Sequence, residues 1–168
     1  MNLKKLWFTI EKLLQTTKGN KMKISEEGKA LIKRFEGCKL EAYLCPANKW
    51  TIAYGRIKDV KEGDTCTQEQ AEKWLDEELE EYESYVENAV ELPLSQCQFD
   101  ALVAWTYNLG PTNLSSSTML KCLNKAEFDR VPSEIKRWNK AGGEVLDGLI
   151  RRREAEALLF QGKDWHEV

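Results

Sequence analysis

Leu3, Leu6, Trp7, Ile10, Leu13 and Leu14 recur at helical spacing within an arc of ~120°, opposite Lys4, Lys5, Glu11, Lys12 and Gln15. The pattern predicts a basic amphipathic helix, and Thr16 to Lys21 read as a polar linker behind it. From Ser25, a residue suited to cap a helix, a second helix is expected through Ala30, Leu31, Ile32 and Phe35, ending at Gly37. The period then falls toward two between Glu41 and Tyr54, with Pro46-Ala47-Asn48-Lys49 as a turn, which predicts a β-hairpin. Thr67 is placed to cap a long helix over 68–90 that buries Ala71, Trp74, Leu75, Leu79, Tyr82 and Val86. Shorter helices are expected over 96–109, 116–124, 128–138 and 149–160. The fold class is α+β and mostly helical: a small lobe about 22–66, a spanning helix about 67–90 and a helical lobe about 91–168, preceded by residues 1–21.

The chain has 168 residues, enough for one ordinary domain with a core of its own. Its net charge of −3 argues against nucleic acid as a partner, and no stretch nears the ~20 uninterrupted apolar residues of a membrane span. The charge is uneven. Residues 1–21 carry +4 and the rest −7, with eleven acids and one base, Lys73, between Glu62 and Glu87. That middle reads as a solvated acidic helix, and Lys136, Arg137, Lys140, Arg151, Arg152 and Arg153 turn the sign again near the end. Glu11 and Lys12 interrupt any signal-peptide core, so no cleavable signal is recognised. Three readings stand for residues 1–21: a helix lying on an anionic membrane surface, a helix docked on protein, or an extension ahead of a start at Met22. No Cys/His cluster has zinc spacing and no Gly-rich loop resembles a phosphate cradle, so no metal and no cofactor is expected.

Glu36 carries the first candidate chemistry. At the end of a helix the backbone carbonyls disfavour a carboxylate, and over a partly apolar cleft such a group is expected to hold a proton and serve as a general acid. An ordinary surface Glu is the alternative. Glu36, eight residues, Cys45, five residues and Thr51 resemble the signature of the phage-type lysozymes, glycoside hydrolase family 24, whose middle residue is Asp or Cys. Glu36 to Tyr43, Trp50 to Gly55, Gln98 to Leu102, Tyr107 to Gly110, Arg137 to Gly143 and Gly148 to Glu154 resemble further blocks of that family in the same order.

The resemblance implies a two-lobed lysozyme-like fold and an endolysin. Its bond would be the β-1,4 link between N-acetylmuramic acid and N-acetylglucosamine in bacterial peptidoglycan. Glu36 would protonate the leaving oxygen and Thr51 would hold the attacking water. Cys45 would stand where the family has a carboxylate. Tyr107 and Thr118 fall near substrate-contacting positions. A monomer is expected, made in the host cytoplasm and acting at the wall or periplasm. A non-catalytic wall-binding module with a membrane-active tail, and a lytic transglycosylase, are the alternatives.

The hairpin supplies a geometric condition. A five-residue loop, 46–50, sets Cys45 and Thr51 opposite each other on one face, whereas a four-residue loop, 46–49, splits them, so the longer loop is expected. Arg56 stands where the family usually has His, which implies that a titrating ion pair is either replaced by a permanent one or lost. His166 is expected at a frayed end. Cys38 and Cys45 are candidates for a regulatory disulfide, with free buried thiols as the alternative.

Overall fold

The computed structural model describes residues 21–168, so the expected amphipathic helix and most of its linker lie outside the described residues. Helix α1, Glu26–Glu36, starts where the Ser25 hydroxyl accepts the Gly28 N–H and stops at Gly37, which adopts φ 67°. It makes Glu36 the last helical residue. Strands β1, Lys39–Leu44, and β2, Trp50–Ala53, pair antiparallel with Tyr43 opposite Thr51 and Leu44 opposite Trp50. Thr65 bridges to Glu41 and closes the other edge of β1.

The hairpin loop is shorter than either length considered above. Cys45 donates its N–H to the Lys49 carbonyl at 3.0 Å, leaving only Pro46-Ala47-Asn48 to turn. Asn48 makes this possible by entering the left-handed region at φ 58°. Cys45 therefore opposes Lys49, and Thr51, two residues further on, shares its face. The condition on the catalytic face is met by a different loop from the one expected.

Helix α2, Gln68–Ala89, is capped by Thr67 and buries Ala71, Leu75, Leu79, Val86 and, unexpectedly, Glu83. Glu83 is buried because it accepts the Ile24 N–H at 2.8 Å and pairs with Lys23 at 3.1 Å. Trp74 and Tyr82 are half-buried. Helix α3, Gln96–Leu109, opens with a capping box of Ser95 and Gln98 and carries an unbroken buried run from Phe99 to Thr106. It is the central pillar, packed against α1, α2 and the last helix.

Beyond α3 comes a helix that was not expected, α4, Pro111–Ser116, and then α5, Thr118–Asn124, which answers to the segment expected over 116–124. Pro111 starts the first and Ser117 caps the second. The segment 128–138 is a 3-10 turn, Phe128–Arg130, followed by α6, Val131–Lys136. A second hairpin of β3, Lys140–Ala141, and β4, Glu144–Val145, turns on Gly142 and Gly143, both at positive φ. Helix α7, Asp147–Phe160, completes the body.

Two expectations are corrected. Helix α1 packs on α3 and α7, so of the small lobe drawn at 22–66 it is the segment after Gly37 that stands on the hairpin side. His166 is not frayed. Trp165 is buried and donates to Glu27 at 2.7 Å, and His166 stacks on it while its carbonyl accepts from Arg34.

Candidate active site

Glu36 reaches its place because α1 ends against the turn after β2. A Cβ built on Gly55 would stand 3.6 Å from Glu36 Oε2, and Gly55 holds φ 98°. The side chain is one-fifth exposed. Beside the apolar side chains of Phe35 and Leu149 it meets a charge that was not expected, for Arg152 Nη1 donates to Oε1 at 2.5 Å. The triple arginine of the sequence is thus not one surface feature: Arg151 is exposed, whereas Arg152 and Arg153 are buried.

Behind Glu36 these arginines form an ionic cluster on one face of α7. Arg152 Nε lies 3.1 Å from Glu156 Oε1, and Arg153 donates to the same oxygen at 2.8 Å. Arg153 also donates to Asn108 Oδ1 at 2.8 Å. Glu156 is wholly buried, and its spacing of three and four residues from the arginines is what lets one turn of helix hold all three. Burial pushes the Arg152 guanidinium down, but the carboxylates of Glu156 and Glu36 more than reverse this and hold it above the ordinary arginine range. Arg152 is therefore a fixed cation that aims the Glu36 carboxyl.

The hairpin presents Thr51 and Cys45 on one face. Thr51 is 4% exposed and its hydroxyl donates to the Lys49 carbonyl at 3.0 Å. The Cys45 thiol lies below its ordinary value, chiefly because the Lys49 backbone N–H points at the sulfur, with the Thr51 hydroxyl and the Ala47 N–H adding to it. Tyr43 joins the two sides. Burial first, then the negative charges of Cys45 and Glu36, push its phenol up, so both groups act on one ring.

Tyr107 is spent on structure. Its hydroxyl donates to the Tyr54 carbonyl at 2.9 Å and its ring lies against Tyr82 at 4.9 Å, so it ties the β2 turn to α3. Tyr54 in turn donates to Glu72 at 2.6 Å and accepts from Gln68, and Glu72 pairs with Lys33. Of the two outcomes open for Arg56, the permanent pair is found: it lies 2.7 Å from Glu78, with its guanidinium 4.9 Å from the Trp74 ring. Thr118 is exposed at the first position of α5, and no contact among the described residues joins it to Glu36, Cys45 or Thr51.

Cys38 and Cys45 are free. They flank the six residues of β1, whose extension separates them by about 20 Å, far outside the span of a disulfide. Pairing them would require β1 to come apart. Among the described residues no group of three or more His, Cys, Asp or Glu is arranged to hold a metal.

A mostly helical frame with a small two-stranded sheet, and a carboxyl held at a helix end against the turn after β2, fit a lysozyme-type glycoside hydrolase. The chain belongs to the phage lysozyme family, which matches residues 33–156. An endolysin of Acyrthosiphon pisum secondary endosymbiont phage 1 is 42% identical over 144 residues, covering 83% of this chain and 99% of that one. The endolysin of Bacillus phage B103 is also 42% identical, but the chain spans only 54% of its length. Among solved structures, the muramidase domain of SpmX from Asticaccaulis excentricus shares 37% identity at a TM-score of 0.78, covering 82% of this chain and 97% of that one. An endolysin from Escherichia coli O157:H7 phage FAHEc1 gives the same identity and score, covering 84% and 94%.

Arg152, Arg153, Glu156, Asn108 and Tyr43 were not singled out by sequence reasoning. The one available signal was the pair of spacings from Arg152 and Arg153 to Glu156 on a single helix.

Proposed function

We propose that this endolysin is an N-acetylmuramidase that hydrolyses the β-1,4 bond between N-acetylmuramic acid and N-acetylglucosamine, serving host lysis at the cell wall after synthesis in the host cytoplasm. The reading is supported by the place of Glu36, aimed by Arg152 and set against the turn after β2, together with a hairpin on which Cys45 and Thr51 share a face. Glu36 gives its proton to the glycosidic oxygen as the bond to the muramic acid carbon breaks. Thr51 holds water through its hydroxyl on the opposite face of the sugar, and that water adds to the carbon, inverts it and releases its spare proton to solvent, from which Glu36 is reprotonated. Cys45, as thiolate, faces the positive charge that develops on the ring and takes up the part a carboxylate plays in such sites. The Lys49 and Ala47 N–H groups keep that anion available.

Product analysis separates this reading from a transglycosylase and from a binding module. Digests of purified peptidoglycan, resolved by mass spectrometry, are expected to contain muropeptides with hydrated muramic acid reducing ends. Anhydro ends would assign the chemistry to a transglycosylase. An undigested sacculus with bound protein would reject catalysis.

A further inference from the structure

Cys38 follows the glycine that ends α1, and Cys66 stands one place before Thr67, the cap of α2. Backbone bonds join the two stretches. Thr65 bridges Glu41 antiparallel, the Ala42 N–H donates to the Asp64 carbonyl at 2.8 Å, and the Cys66 N–H donates to the Leu40 carbonyl at 2.9 Å. This register sets Cys66 opposite Leu40. Alternation back along the chain puts Cys38, two residues before Leu40, on the same face. Cys38, Ala42 and Cys66 all pack against the core, as members of one face do. Cys38 and Cys66 are thus diagonal neighbours, with Cα atoms about 7–8 Å apart. A disulfide spans roughly 4.4–6.8 Å, so a closure of about 1 Å in the edge stretch 64–66 suffices and β1 stays whole. Both thiols are half-buried, and burial pushes both up. The Tyr54 hydroxyl partly offsets this at Cys38, whereas at Cys66 the negative charge of Cys38 adds to it, which sets the two sulfurs within electrostatic reach of each other.

We propose that Cys38 and Cys66 are a redox pair that closes to a disulfide under oxidising conditions, stapling the segment behind Glu36 to the cap of α2 and leaving Cys45 a free thiol. The oxidant is a small-molecule disulfide such as oxidised glutathione. Cys38 as thiolate attacks one of its sulfurs, and one glutathione leaves as a thiol. Cys66, deprotonated in turn, attacks the Cys38 sulfur of the mixed disulfide, and the second glutathione leaves. The two cysteines lose two electrons and two protons, which the oxidant takes up as its two thiols. Thiols held above their ordinary range react slowly, so the pair stays open in a reducing cytoplasm and closes beyond it.

Trypsin separates the three thiols of this region, with Cys38 in residues 35–39, Cys45 in 40–49 and Cys66 in 62–73. The folded full-length chain is equilibrated with oxidised glutathione, alkylated, and digested without reduction. Mass spectrometry is expected to find 35–39 linked to 62–73, with Cys45 alkylated. The same oxidation in urea is expected to favour Cys38 with Cys45 instead, because that bond closes the shorter loop. The linked chain is expected to unfold roughly 5–15 °C higher than the reduced one. Cys66→Ser should abolish both the link and the rise, while Cys97→Ser, at a thiol on α3, keeps both. Alkylation of all five cysteines after oxidation, glutathione retained on Cys38 or Cys66, or a folded-state link that consumes Cys45 would overturn the pairing. A Cys38–Cys66 link as abundant in urea as in the folded chain would overturn its origin in the fold, and a link that leaves Tm unchanged would overturn the staple.

Discussion

Cys45 is a cysteine where a relative of this kind often carries a carboxylate, and its surroundings prepare it for that substitution. Two backbone N–H groups from its own tight loop and the Thr51 hydroxyl stabilise the thiolate, so its titration lies below that of an ordinary cysteine. The sign follows directly. A lowered value means that the anion persists to lower pH than usual and is lost as pH falls through it. Activity of the wild-type chain is therefore expected to drop on the acid side with the Cys45 thiol, while Cys45→Asp extends activity to lower pH because a carboxylate titrates further down. pH–rate profiles of the two proteins, with reductant present, check this, and coincident acid limbs would remove Cys45 from the chemistry. The family resemblance made Glu36, Cys45 and Thr51 candidates at this scale. Arg152 and Asn108 were not, because an arginine aimed inward from a helix is written the same way as one on the surface. Only the fold distinguishes Arg151 from Arg152.

The elements were readable wherever a long apolar period and a cap agreed, as in α1, α2 and α3. They were misread where a single residue interrupts a helical stretch. Pro111 begins a new helix directly after α3 stops at Gly110, and the two glycines of 142–143 make a hairpin too short to show a strand period. The approach of α1 to α3 was also hidden in the pattern, since it depends on Gly28. A Cβ there would stand 2.6 Å from Ile24 Cγ1 and 2.8 Å from Asp100 Cβ. Asp100 is buried at that crossing and accepts from the Ser25 N–H and hydroxyl and from Gln96, so it fixes the start of the helix that ends in Glu36. Gly28→Ala improves helix propensity by roughly 1 kcal/mol. Steric crowding is expected to outweigh this and leave a net loss of about 1–2 kcal/mol. Thermal unfolding should show it as a fall of roughly 2–8 °C in Tm, whereas a raised Tm would mean that the helices yield at this point.

Across the whole molecule, the acidic middle of the sequence is more than a solvated face. Asp76 meets Lys29 at 2.7 Å, Glu80 and Glu83 meet Lys23, Glu72 meets Lys33 and Glu78 meets Arg56. Bases from α1 and its approach, and from the hairpin turn, thus line up along α2. Exposed pairs of this kind add little stability individually, but together they orient the two elements that supply Glu36 and Thr51 around one spanning helix. The change of period along the chain separated a hairpin segment from the helical segments, yet the packing of α1 on α3 and α7 was not legible, because it is a long-range fact. The central claim is that Glu36, so placed, is the acid of a peptidoglycan hydrolase. Its most direct measurement is the clearing of purified peptidoglycan by the wild-type chain and by Glu36→Gln, with reductant present and the Tm of both recorded. The wild-type chain should clear the suspension and generate new reducing ends, and Glu36→Gln should be slower by about 10²–10⁴-fold at an unchanged Tm. Clearing by Glu36→Gln at the wild-type rate, or murein binding without clearing by the wild-type chain, would contradict it.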